Sequence, residues 1–428
     1  MRISVTKSIY FLNFGLVDET GEAVSEYRID EIAELLGYKS IKSMKAEVER
    51  LLHTGRLTMT IPDKPKSKNQ IYIVMKPALF LLPLLLFIGW VNWYVDSYAL
   101  LRVTYDDIAA QMAAGKNVEG LEDSDYNDRN LLAARIKGME EPPQVMVLGS
   151  SRVYTFDHTM FGTDSFYNAG VSEATIYDLL AVSGIMRRQD KMPETVVIGV
   201  DAFLFNKSHD NEKWKELEGY ADYMSLTLDG KLSPELVQPH KDTGRELSKA
   251  LSLDYFRYNV TLLPDRKRFA VSYTDEWVTE GYLKHSDGSV SYQRELREVN
   301  SADVEEMTRQ SVEEHVVYRM TDYAEIDEGH FSRLSELIDY LQGAGVEVIL
   351  YLPPYSPMMY NYIESEEAFQ ITLDVEKMVK NLAVEKGIAL YGSYNPAGCG
   401  LEMTDLYDVY HVKTEKTADT YYPVIPAK

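Results

Sequence analysis

The chain has 428 residues, of which 45% are hydrophobic and 11% aromatic, and this excludes disorder over most of its length. Its net charge of −23 is unevenly placed: residues 1–76 hold 12 Lys+Arg against 10 Asp+Glu, leaving 32 against 57 beyond them, so the larger part repels nucleic acid over most of its surface. A lone cysteine, Cys399, excludes an intramolecular disulfide.

Residues 29–36 carry an amphipathic helical period, Gly37 allows a tight turn, and residues 41–53 carry a second period closed by Gly55. Strand character at 56–61 and 71–74 brackets the basic stretch 62–70, so residues 1–74 resemble a winged helix. The segment 60–72 is similar to the wing at the C-terminus of some bacterial ATP-binding and Fic-type regulators. That resemblance implies that Lys42, Ser43, Lys45 and Lys64 face phosphates, which makes nucleic acid a partner of residues 1–74 alone; a protein-binding module is the competing reading.

Residues 77–95 are nineteen in number and bear no charge. As a helix they would extend roughly 28 Å, the thickness of a bilayer's hydrocarbon core. Trp90, Trp93 and Tyr94 close one end as an interfacial belt would. A transmembrane helix over 76–96 is expected, with Lys64, Lys66, Lys68 and Lys76 holding the N-terminus in the cytoplasm and sending the remainder outside.

A juxtamembrane segment, 97–143, follows, helical at 106–114 and 128–138. Glu140-Glu-Pro-Pro143 then stops the chain before a short apolar strand that ends as Leu148-Gly-Ser-Ser-Arg152. A helix at 177–188 and a buried strand at 194–201 come next. Residues from about 203 to 325 break the alternation and read as an insertion. Regular pattern returns as a helix at 330–344, a strand at 346–352 stopped by Pro353-Pro354, a helix at 368–386 and a strand at 388–391. This rhythm predicts an α/β domain over 144–428, a parallel sheet with helices on both faces.

A strand ending in Gly-Ser-Ser presents hydroxyls where open α/β sheets bind ligands. Asp408-Val-Tyr-His411 sets a carboxylate and an imidazole on one side of a turn, so a serine with a partner base is within reach. Either Ser150 or Ser151 can be the nucleophile, and either can instead cap the helix that follows. His53, His209, His240, His285, His315, His330 and Cys399 show no metal-ligand spacing, and no phosphate loop or dinucleotide fingerprint is present, so neither metal nor cofactor is expected. His158 reads as structural.

Residues 145–205 and 330–411 together resemble the SGNH (GDSL-type) hydrolase superfamily. They are most similar to its membrane-anchored bacterial members that accompany teichoic-acid D-alanylation and alginate acetylation. The resemblance implies a flavodoxin-like fold and makes Ser151 the nucleophile, His411 its base and Asp408 the residue that holds the imidazole tautomer. It puts Asn168 and Gly170 in a second block at the oxyanion and substrate site, with Glu173 where an oxyanion glycine is usual, so that the oxyanion donors are expected to be the Ser151 N–H with Gly170 or its neighbours. Asp201 stands where the family has an asparagine donor, and an ionised aspartate can only accept. Arg152 is expected to bind an anionic substrate group or to pair with Asp157 or Asp201.

The expected function is that of a serine esterase or O-acyltransferase working through an acyl-serine on a cell-envelope glycan, with a membrane-bound O-acyltransferase as partner. The alternatives are a degenerate scaffold that binds glycan or that partner, and a membrane-tethered DNA-binding regulator.

Overall fold

The structure is a computed structural model that describes residues 2–7, 12–17, 23–28, 39, 42–43, 46–47, 50, 53–54, 68–97, 101–121, 126–208, 211–231, 250–265, 271–320 and 322–427. It divides into two units, Met1–Pro83 and Leu84–Lys428. In the first, β1 (Arg2–Lys7), β2 (Leu12–Val17) and β3 (Ala23–Arg28) form an antiparallel meander. The helix expected at 29–36, the strand at 56–61, Lys45 and Lys64 lie outside the described residues. The helix expected at 41–53 is described at Lys42, Ser43, Ala46, Glu47, Arg50 and His53, all helical.

The strand expected at 71–74 is instead helical, because it falls within a 28-residue helix, Lys68–Val95. The β-branched Ile71, Ile73 and Val74 lose little in a helix. Extending an apolar helix backwards also costs less than ending it for an isolated strand. The span expected at 76–96 lies in this helix, whose side chains are described from Leu81 onward. Among the described residues no helix is long and apolar enough to cross a membrane.

The second unit's strands are β4 (Asn117–Glu119), β5 (Val145–Leu148), β6 (Phe166–Asn168), β7 (Thr195–Gly199) and β8 (Ser272–Thr274). They continue as β9 (Leu283–Lys284), β10 (Val290–Ser291), β11 (Glu347–Leu352), β12 (Ala389–Gly392) and β13 (Pro423–Ile425). The main sheet has the order β13-β12-β11-β7-β5-β6, parallel throughout except for β13. The order reverses between β5 and β7, and ligands of doubly wound sheets sit at such a switch point, beyond the carboxyl ends of the strands.

Right-handed crossovers explain why helices are unequally shared between the faces. The steps from β6 to β7, β11 and β12 all run one way across the sheet, so the helices Ile176–Arg188, Glu328–Gly343 and Ile371–Lys386 share one face. Met146, Leu148, Val196, Ile198, Val348 and Leu350 point into them as one core. The step from β5 to β6 runs the other way and is short. Val147, Val197 and Tyr351 on that face are covered by Phe156, Phe161 and Tyr421.

Residues 97–143, expected as a juxtamembrane segment, are part of this folded unit. Helix Tyr105–Ala113 and helix Asp128–Lys137 bury Ile108, Met112 and Leu131 together with Val118 and Leu121. β4 joins β8, β9 and β10 of the insertion in a small antiparallel sheet. Pairing between short segments far apart in sequence leaves no local alternation that would announce it.

Candidate functional site

Two glycines let β5 and β7 close together at the switch point. Gly149 adopts φ +150°, and a Cβ there would lie 3.3 Å from Gly199 Cα. A Cβ on Gly199 would meet Val153 Cγ1 at 2.6 Å. Glycine at both positions therefore lets the chain leave β5 and turn at once into the 3-10 segment Ser151–Val153.

That turn separates the two serines. Ser150 is buried and its Oγ accepts from Arg152 N at 3.2 Å, so it is the cap. Ser151 starts the turn, where the backbone N–H has no intrahelical acceptor. Its Oγ lies 2.8 Å from His411 Nε2. On the far side of the imidazole, Nδ1 is 2.9 Å and 2.8 Å from the two Asp408 oxygens. Asp408 Oδ1 also accepts from the backbone of Tyr410 and His411 at 2.8 Å and 2.9 Å. Burial would raise this carboxyl's pKa, but the His411 charge and these hydrogen bonds outweigh it and hold it below the usual aspartate value.

Asn168 and Gly170 support the turn from below. Asn168 Nδ2 donates to Val153 O at 2.6 Å and Phe156 O at 2.9 Å, while its Oδ1 accepts from Gly170 N at 2.9 Å. The Gly170 N–H is thus spent inside the protein, and neither residue lines the pocket. Asp128 adds a further brace, its Oδ2 accepting from Ser172 N at 2.5 Å and from Tyr154 OH at 3.0 Å.

Asp201 is buried and its Oδ1 pairs with Arg152 Nη1 at 3.0 Å; of the partners expected for Arg152, this is the one that the structure brings to it. Arg152 Nη2 donates to Pro353 O at 2.9 Å and Pro354 O at 2.6 Å, and the guanidinium carbon lies 4.5 Å from the centre of the Tyr355 ring. Burial disfavours the charge, yet Asp201 together with Tyr355 and Tyr351 outweighs it and holds the arginine above its usual pKa. One donor of this group, the Nε–H, is buried without an acceptor.

Glu173 has φ +52°, a left-handed conformation that few residues other than glycine adopt readily. Its carboxylate turns to the insertion, with Arg319 Nη2 at 2.6 Å and Lys213 Nζ at 3.4 Å. Although partial burial opposes it, hydrogen bonds from Arg319 and Tyr318 and the charge of Lys213 bring this carboxyl down to about 2. Over Ser151 opens a pocket of about 260 Å³ whose remaining walls are Phe203, Tyr318, Tyr355 and Tyr410.

Sequence reading missed these aromatics. Tyr355 follows the two prolines that end β11, and Tyr410 lies inside Asp-x-x-His, so both had a positional signal. Phe203 and Tyr318 had none, because the insertion brings them to the site. Tyr318 N donates to Tyr410 OH at 2.9 Å, and its ring meets Phe203 edge-on at 6.0 Å. His158 lies apart, with Nδ1 3.0 Å from Asp287 Oδ2. Among the described residues no cluster of His, Cys, Asp and Glu is arranged to hold a metal. Neither a family model nor a curated protein matches the chain.

Proposed function

We propose that the second unit is an SGNH-type serine esterase or O-acyltransferase, anchored to a membrane and acting on an acyl ester of a cell-envelope glycan. The observation that carries the reading is the continuous line from Ser151 Oγ through His411 to Asp408, with contacts of 2.8 Å on both sides of the ring. His411 Nε2 removes the Ser151 proton as Oγ attacks the acyl carbon. The oxyanion collapses and expels the alcohol, which takes the proton from Nε2. Water or a sugar hydroxyl then gives its proton to His411 and attacks the acyl-serine, and Oγ leaves carrying that proton back.

The reading must supply oxyanion donors without the family's asparagine. The Ser151 N–H at the start of its turn is one donor. The second is the Arg152 guanidinium, which Asp201 orients and whose Nε–H has no acceptor within the protein. Aromatic walls suit the apolar faces of a sugar ring or an acyl chain. Membrane anchoring draws its support from the apolar sequence of helix Lys68–Val95 and from the exposed side chains Leu84, Leu85, Leu86, Phe87, Trp90 and Trp93.

The test is the full chain with a fluorophosphonate probe and a chromogenic acetyl ester, beside S151A, H411A and D408N. Labelling and turnover should vanish in S151A, and turnover should fall on the order of 10⁴-fold in D408N. Labelling that persists in S151A would overturn the assignment.

A further inference from the structure

The apolar helix Lys68–Val95 does not end as an isolated rod. Ile88, Val91, Asn92 and Val95, spaced three and four apart, are buried, and Asn92 joins this end of the helix to the insertion's helix Leu253–Leu262. The contact between the two helices is polar at its centre. Asn92 Nδ2 donates to Ala250 O and Ser252 O, both at 3.0 Å, and Asn259 Nδ2 donates to Asn92 Oδ1 at 3.1 Å. Ser97 Oγ donates to Asn259 Oδ1 at 2.8 Å, and Tyr255 OH to Asp96 Oδ1 at 3.1 Å. Asp96 also accepts from Leu101 N at 2.9 Å and Arg102 N at 2.5 Å, fixing the chain's exit from the helix.

With Tyr255 and Asn259 turned inward, the insertion helix leaves an apolar stripe beside its exposed charges. Leu253, Phe256 and Val260 fall at i, i+3 and i+7; Leu253 is 58% exposed and Val260 41%, and Leu251 just before them is 53% exposed. This stripe is continuous with the exposed face of the longer helix, since the Phe256 and Phe87 rings meet edge-on at 5.8 Å. Asp254 and Arg257 are exposed on the flank, and the sequence goes on as Arg266-Lys267-Arg268, a basic run in an acidic chain.

We propose that helix Leu253–Leu262 is a membrane-interface element: its Leu253–Phe256–Val260 stripe lies in the headgroup and acyl boundary of the bilayer that receives the neighbouring apolar helix. The occupant is lipid rather than protein because the stripe is apolar, its helix has already satisfied its buried polar groups, and it continues a face of Leu, Phe and Trp. The catalytic unit is then held to the surface at two points, so its orientation is fixed where a single flexible tether would leave it free. This inference rests on the anchoring reading above.

The experiment uses the full chain carrying C399S and one new cysteine at a time, L86C, L253C, V260C or V384C, each labelled with an environment-sensitive fluorophore. The proteins are reconstituted in vesicles of phosphatidylcholine and phosphatidylglycerol containing nitroxide-bearing lipid. Labels at 253 and 260 should be quenched about twofold more than the label at Val384, which is exposed on helix Ile371–Lys386 away from the stripe. If 253 and 260 match Val384 while 86 is quenched, the interface element is refuted and anchoring stands. If 86 also matches Val384, anchoring itself fails. Cross-linking of two copies through L253C without lipid quenching would assign the stripe to a second chain and overturn the proposal.

Discussion

Arg152 Nη1 and Asp201 Oδ1 meet at 3.0 Å in a buried ion pair that joins the turn after β5 to the end of β7. The pair crosses the switch point of the sheet, so the residue beside Ser151 is positioned by the neighbouring strand. In D201N the guanidinium is left buried without its counter-charge, and stability should fall by about 3–5 kcal/mol. The double variant R152M/D201L should recover much of that loss while ester turnover stays low. Urea unfolding and turnover, measured on the same samples, separate the two effects.

The two serines should part company under substitution. S150A removes a turn cap and should cost about 1 kcal/mol of stability while leaving covalent labelling intact. S151A should leave stability within about 0.5 kcal/mol and abolish labelling, since its hydroxyl faces His411 across the pocket rather than a buried backbone group. Mass spectrometry of the labelled peptide checks both.

Glu173 contributes to acid stability. Its folded carboxyl, at about 2, is below the usual 4.5, so its contribution is complete above about pH 4.5 and is lost as pH falls toward 2. In E173Q the acid limb of the unfolding profile should flatten over that window. Arg319 and Lys213 also lose their partner, so the Tyr318 wall should loosen. The Michaelis constant for a bulky ester should then rise more than kcat falls.

Lys284 is buried in β9 with its Nζ 4.9 Å from the centre of the Tyr154 ring. Burial lowers its pKa to about 8, and the charges of Asp128 and Asp287 recover only part of that loss. A base with a depressed pKa binds fewer protons folded than unfolded between about 8 and its usual 10.5, so stability gains as pH rises through that window. K284M should be more stable than the parent at pH 7, by up to about 3 kcal/mol less the lost cation–π contact. The gap should narrow by pH 10. Thermal unfolding at the two pH values decides.

The sheet was legible because its strands are buried and its crossovers carry long helices: the apolar runs at 145–148, 195–199 and 347–352 and the helical periods between them leave few other arrangements. The serine, histidine and aspartate were legible because each sits at a strand end or inside one turn. The rest depends on pairing at a distance. β13 runs antiparallel at the sheet edge and has no amphipathic signal, β4 finds its partners more than 150 residues on, and the strand expected at 71–74 was absorbed by a helix whose driving pattern begins downstream. Asp201 and Glu173 each acquire a cationic partner that no local spacing announced.

The Asn168 side chain fills three hydrogen bonds within the turn that carries Ser151 and its own loop, so that turn is braced by the protein itself. Tyr318 and Arg319, by contrast, come from the region between β7 and β11. That same region also supplies Leu217, Met224, Leu334 and Leu337 to the core against the sheet, so the pocket wall it forms cannot be exchanged wholesale without rebuilding that core.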